Sequence, residues 1–271
     1  MRVAATHSTI GVRGGLTRLA GAALVGSLLA ACSGAPAATT AAPQQPVVVS
    51  GAGDITSVVE QYRTLLGANN GGEPGSKASG RREINWDGVP DESAAPNFLP
   101  GDFFNAAASP RARGAILDTP GTGVQVSAKS GNPTGTPVRF GNINRSYADI
   151  FKTFSDERLF SPVGSNTVDL TFRVPGTNTP AWTRGFGAVY TDVDQEHTAF
   201  EYFDKDGRSL GRFTVPISSN GLSFLGVVFD QPVVARVRIE YGSVKLGPDD
   251  GPNNDVAVMD DFIYGEPQPA G

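Results

Sequence analysis

The sequence predicts an all-β protein: a two-sheet β-sandwich, jelly-roll-like, with one short N-terminal helix. Three observations lead there. Glycine (34) and proline (20) make up about a fifth of the 271 residues, too many for a helical bundle, because each costs roughly 1 to 3 kcal/mol in a helix interior. Apolar and polar residues alternate with a period of two through much of the second half of the chain. Clusters of Gly, Pro, Asp and Asn interrupt these runs often enough to mark about ten short strands in one domain.

The helix comes first. Asp54 is placed to cap it, and Ile55, Val58, Val59, Tyr62, Leu65 and Leu66 recur at three- and four-residue spacings, giving one apolar stripe. Gly67 and the polar stretch 69–72 end it. Strands are then expected at 83–87, 114–118 and 123–128. A further strand follows at 168–174, where Val168, Leu170, Phe172 and Val174 alternate with Asp169, Thr171 and Arg173. Residues 147–154 read as a short helix in a crossover. Strands at 185–192, 198–204 and 209–215 come next, the last two joined by Asp204, Lys205, Asp206, Gly207 and Arg208, which supply the glycine of a tight hairpin. Residues 222–229 are apolar on both faces, as in a strand whose sheet is covered on both sides. Residues 233–241 alternate again, and 256–264 form the last strand. No repeat with a period of 20 to 50 residues is present.

The N-terminus reads as an export signal. Arg2, Arg13 and Arg18 precede an apolar run over 19–31 that is too short to span a bilayer, since spanning needs ~20 apolar residues. The run ends Leu29, Ala30, Ala31, Cys32, which resembles the bacterial lipobox. The resemblance implies cleavage after residue 31 and lipidation of Cys32. It also accounts for a single cysteine in an exported chain, where a free thiol is a liability. The expected organisation is a signal peptide over 1–31, lipidated Cys32 with a flexible Ala/Thr/Pro/Gln-rich linker over 32–50, and the sandwich over 51–271. The membrane is then a partner through the lipid. Ser33, where an Asp would signal inner-membrane retention in some enteric bacteria, favours the outer membrane or cell surface.

Composition excludes several classes. A net charge of −5 with no clustered Lys and Arg leaves no footprint for nucleic acid. One Cys and two His exclude a disulfide framework and a Cys/His zinc site. No GxSxG elbow, phosphate-binding loop or dinucleotide fingerprint occurs. His197, in a polar loop, reads as a solvated turn residue.

Three stretches, GRREINWDG over 80–88, LFSPVGSN over 159–166 and MDDFIYG over 259–265, together with YFDKDGRSLGRFTVP over 202–216, resemble a family of exported bacterial proteins of about this length. The resemblance spans most of 54–267 and implies export but no activity. An early strand bearing Asp and a last strand ending in Asp-Asp-Phe more loosely resemble jelly-roll domains of bacterial surface proteins and carbohydrate-binding modules, a likeness of fold alone.

The aspartates are the most suggestive side chains. Ca²⁺ takes six to eight oxygens, which loops rich in Asp, Asn and Gly supply. First and last strands are commonly neighbours in jelly rolls, so Asp87 is expected near Asp260 and Asp261 as a candidate Ca²⁺ set; the alternative is that these acids cap turns and solvate edges. Among the aromatics, Trp182 follows Thr177, Asn178, Thr179 and Pro180 in an evident loop and is the candidate ligand-binding residue, whereas Trp86, Tyr190, Tyr202, Tyr241 and Tyr264 sit in strand patterns and read as core. Three functions stay open: a binding module for a glycan or envelope polymer, a structural surface component, and a carboxylate-based polysaccharide hydrolase or lyase.

Overall fold

The structure, a computed structural model, describes residues 45–270; the expected signal peptide, Cys32 and most of the expected linker lie outside the described residues. The chain runs through β1 (Val47–Ala52), α1 (Thr56–Leu66), β2 (Arg81–Ile84), β3 (Ala115–Asp118), β4 (Gly123–Val126), α2 (Tyr147–Ile150), β5 (Phe160–Val163) and β6 (Thr167–Arg173). It continues through β7 (Pro180–Trp182), β8 (Gly185–Val193), β9 (Ala199–Phe203), β10 (Ser209–Thr214), β11 (Ser218–Val228), β12 (Arg236–Glu240), β13 (Val258–Gly265) and β14 (Gln268–Pro269).

These strands build two antiparallel sheets. In the first, β1, β11, β8 and β13 lie side by side; β5 and β2 share the far edge of β13, and β4 pairs with β5. In the second, β10, β9, β12 and β6 lie side by side, with β7 and β14 beyond and β3 also along β6. From β8 onward the chain crosses between the sheets at every connection except the β9–β10 hairpin, which stays in the second sheet.

The core between the sheets is aromatic. Trp86 stacks on Phe160 at 4.2 Å and meets Phe262 edge-on at 4.8 Å, Phe262 meets Phe186 at 5.2 Å, and Phe186 meets Phe200 at 5.0 Å. Such pairs contribute about 0.5 to 1.5 kcal/mol each beyond burial.

The first sheet is covered on its other face too. There α1 lays Ile55, Val59, Tyr62 and Leu66 against Val189, Phe224, Val228 and Ile263. Around α2, Phe140, Tyr147 and Phe151 pack with Leu246, Val256 and Val258. Every residue of β8 and β13 is therefore buried, and period-two polarity disappears from both. The seat of α1 is made by a cross-strand glycine pair, Gly187 opposite Gly226. A Cβ on Gly226 would stand 2.5 Å from the Tyr62 ring, and one on Gly187 2.8 Å from it. The Tyr62 hydroxyl donates to the Val227 carbonyl at 3.2 Å.

The second sheet keeps one wet face, so β6 and β12 alternate as the sequence predicts. On that face Asp169 pairs with Arg236 at 2.7 Å and with Arg238 at 2.9 Å, and the Arg236 guanidinium lies 3.7 Å above the Phe203 ring.

Three expectations need correction. The sandwich begins at Val47 rather than residue 51: β1 pairs along its whole length with β11 and buries Val49, which the flanking Ala/Thr/Pro/Gln composition conceals. Trp182 is not in a loop; it ends β7, opposite Gln268 of β14. Four strands, β1, β5, β7 and β14, were not expected. The last three contain Pro and are four residues or fewer, too short to show a period.

Candidate functional site

The Asp-Asp pair of β13 owes its geometry to a bulge. Met259 faces Tyr190 and Phe262 faces Ala188, so Asp260 and Asp261 together oppose Val189 alone. Successive side chains of a regular strand point to opposite faces, but the bulge re-aims one of them. Both carboxylates consequently reach one hydroxyl, Ser155 Oγ, which lies 3.0 Å from Asp260 Oδ1 and 2.8 Å from Asp261 Oδ1. The Asp260 carbonyl accepts a 2.7 Å hydrogen bond from Trp86 Nε1. Trp86 has φ of 62° and turns the chain at the end of β2, which carries Asp87 Oδ2 to 3.1 Å from the same Ser155 Oγ. The expected trio Asp87, Asp260 and Asp261 is thus brought together.

A serine hydroxyl has one proton and cannot serve three carboxylates at once. Burial, then repulsion from Asp261, raises Asp260 well above the ordinary carboxylate range, and burial raises Asp261 to about 6. Burial raises Asp87 as well. The remaining lone pairs are satisfied locally: Phe154 N–H donates to Asp260 Oδ2 at 2.6 Å, Arg158 N–H donates to Asp87 Oδ1 at 3.0 Å, and Arg63 Nη2 lies 3.6 Å from Asp261 Oδ2. Asp87 also lines an open recess of about 400 Å³ with Lys129, Asp156, Glu157 and Arg158. Chemically this is a pair of buried acids behind a hydroxyl, with a third carboxylate at the mouth. The same four oxygens are of the type a hard cation takes.

A second acidic cluster joins residues far apart in sequence. Asp192, Asp194 and Asp250 each place a carboxylate oxygen within 4.8 Å of those of the other two. Asp255 stands behind them, fully buried, and accepts the N–H groups of Asp194 at 3.3 Å and Gln195 at 3.1 Å. Burial, reinforced by neighbouring carboxylates, pushes Asp192 up to about 7 and Asp255 up to about 6.

No family model, curated protein or solved structure matches this chain. Function is therefore argued from residues alone. Trp182 is half-buried, and because Ala181 beside it is buried in the core, alternation turns Trp182 to the wet side of the second sheet, where Arg236, Arg238, Asp169 and Phe203 also lie. Trp86, Tyr190, Tyr202, Tyr241 and Tyr264 are core residues, as expected, and His197 is exposed in its loop. Sequence reasoning missed Ser155 and Arg63. No local pattern marks Ser155, and Arg63 sits on the polar side of an otherwise ordinary amphipathic helix. No described helix is long and apolar enough to cross a membrane.

Proposed function

We propose that the chain is a lipid-anchored extracytoplasmic protein whose sandwich is a non-catalytic binding module for an envelope polymer, a glycan by class. The anchor rests on the lipobox-like Leu29 to Cys32 and the short polar spacer that separates Cys32 from β1. The observation that carries the binding role is the asymmetry of the two sheets. One is covered on both faces, while the other presents a face bearing Arg173, Arg236, Arg238, Asp169, Glu201 and Glu240 with Phe203 and Trp182 among them. Arginine and carboxylate pair with hydroxyls, and aromatic rings pack against the C–H faces of sugars. The loose likeness to carbohydrate-binding jelly rolls supports the same class.

The rival reading, a carboxylate-based polysaccharide hydrolase or lyase, is favoured by one observation: raised acids beside the recess at Asp87, which suit a general acid.

Two measurements test the proposal. Fractionation of cells expressing the parent and Cys32→Ser is expected to place the parent in the membrane fraction and the variant in the soluble fraction; a variant that stays with the membrane refutes the anchor. Co-sedimentation of the soluble Cys32→Ser chain with insoluble envelope polysaccharide is expected to be weakened tenfold or more by Trp182→Ala and by Arg238→Ala. Retention unaffected by either change refutes the sheet face as the site, and release of new sugar ends from the polymer supports the enzyme instead.

A further inference from the structure

The two acidic clusters differ in how their charge is met. Around Asp87, Asp260 and Asp261 the protein itself supplies the Ser155 hydroxyl, three backbone N–H groups and the guanidinium of Arg63. Around Asp192, Asp194 and Asp250 it does not. Among the described residues no ion pair reaches these three carboxylates or Asp255. Asp194 Oδ1 and Asp250 Oδ1 are buried and accept no hydrogen bond from the described residues. Asp192 is 2% exposed, and its carboxylate takes one hydrogen bond, from Asn220 N–H to Oδ1 at 2.7 Å. Its other oxygen has no donor among the described residues. Buried carboxylate oxygens without a donor are costly, and folded proteins leave few of them. Two on adjacent acids, with a third acid buried beside them, leave a gap in the charge balance that a cation from solution would fill.

We infer that Asp192, Asp194 and Asp250 form a binding site for a divalent cation of the Ca²⁺ class. Three carboxylate oxygens within 4.8 Å of one another are close enough to ligate a single ion with bonds of about 2.4 Å. All the donors are oxygens, which selects a hard cation, and they come from a strand end and a Gly/Pro/Asn-rich loop. Such an irregular, adaptable set suits Ca²⁺ with water completing its shell better than the rigid octahedron of Mg²⁺. The scaffold holds both halves of the site in place. Asp192, at φ of 63°, lies near the end of β8 where β11 bulges between Ser218 and Leu222, and the bulge presents Asn220 N–H to its carboxylate. The 247–250 loop is tied down by Tyr147 Oη donating to the Gly247 carbonyl at 2.5 Å and Asn144 Nδ2 donating to the Pro248 carbonyl at 3.1 Å. Asp255 anchors the 194–195 turn from behind. The ion would clamp the end of β8 to the loop before β13, joining segments some sixty residues apart in sequence, and it needs neither the lipid anchor nor the polymer-binding face.

The test uses the full chain, chelated and then titrated with CaCl₂, MgCl₂ or TbCl₃. Ca²⁺ at a hundredfold excess over its Kd is expected to raise the melting midpoint by about 5 to 10 °C, with Mg²⁺ far weaker. Tb³⁺ emission excited through tyrosine is expected to rise and to be competed away by Ca²⁺. Asp194→Asn and Asp250→Asn should each weaken Ca²⁺ binding tenfold or more, while Asp261→Asn, at the other cluster, should leave it unchanged. Absence of both the melting shift and competable Tb³⁺ emission in the parent overturns the inference. So does a Ca²⁺ response that survives in Asp194→Asn and Asp250→Asn, or one abolished by Asp261→Asn alone. If Asp250→Asn fails to fold, Asp194→Asn and the parent's Tb³⁺ competition still decide.

Discussion

Arg82 carries the clearest wager on stability. It is wholly buried on β2, opposite Tyr264, and its side chain makes six hydrogen bonds. Nε and Nη2 fork onto Glu266 at 2.7 Å each, Nη1 donates to the carbonyls of Gly71, Glu73 and Ala112, and Nη2 donates also to Gly75. One guanidinium thus organises the 71–75 loop, the 112 turn and the chain after β13. Replacing it by Met keeps the volume but leaves the Glu266 carboxylate buried with only Asn70 Nδ2 and Lys77 N–H as donors, and it removes a donor from four carbonyls. Breaking a buried pair from one side costs about 3 to 5 kcal/mol, which for a domain of this size lowers the melting midpoint by about 6 to 20 °C. Lys at the same position carries the charge but not the fork, so it should fall between. In the double variant Arg82→Met/Glu266→Gln the uncompensated carboxylate is gone, and the loss should be smaller than the sum of the singles. Differential scanning calorimetry of the parent, Arg82→Met, Arg82→Lys, Glu266→Gln and the double variant decides. An Arg82→Met midpoint within about 2 °C of the parent refutes the reasoning.

Three further outcomes are expected. Gly226→Val drives a branched side chain into the Tyr62 ring and should loosen α1 from the first sheet, seen as faster amide exchange across Thr56–Leu66 with the second sheet unaffected; unchanged exchange there contradicts the seat described for Tyr62. The Asp260–Asp261 pair retains a proton in the folded state above the free carboxylate value of 3.8, so its stabilising share is complete at low pH and is lost as pH rises through the raised value, at up to ~1.4 kcal/mol per pH unit per proton. Asp260→Asn mimics the protonated acid and should flatten that decline in midpoints measured from pH 4 to 8; an unaltered profile argues against a raised Asp260. A chain starting at residue 51 lacks most of β1, strips β11 of a ladder partner and leaves Val49 out of the core, so it should melt at least about 3 °C below one starting at residue 45, and equal midpoints would return 47–50 to the linker.

Periodicity is a local property, and what depends on it was readable from the chain. The alternation of Val168, Leu170 and Phe172 marked β6, the unbroken apolar run at 222–229 marked a strand covered on both faces, and the stripe from Ile55 to Leu66 marked α1. Even the approach of Asp87 to Asp260 and Asp261 was expected, by pairing the first and last strands that the sequence predicts, which correspond to β2 and β13; these do pair, although β1 and β14 lie outside them in the chain. Contacts set by register and packing left no such mark. The bulge that swings Asp260 and Asp261 onto one hydroxyl is a mismatch between β13 and β8, visible only once both strands are in place. Ser155 lies in a polar loop like many others until folding surrounds it with three carboxylates. Asp192 and Asp250 meet because a loop tied down by Tyr147 returns to the end of β8. Trp182 was assigned to a loop because its three-residue strand is too short to display a period, and its place on the wet face comes from pairing with β6 and β14. The sequence alone therefore determined where the periodic segments form strands and which faces they bury, since side-chain polarity repeats along the backbone, and it left the short or Pro-bearing strands and β1 unmarked. The tertiary structure alone decided which acids converge on one hydroxyl and which stand without a counter-charge, because both depend on distances across the fold.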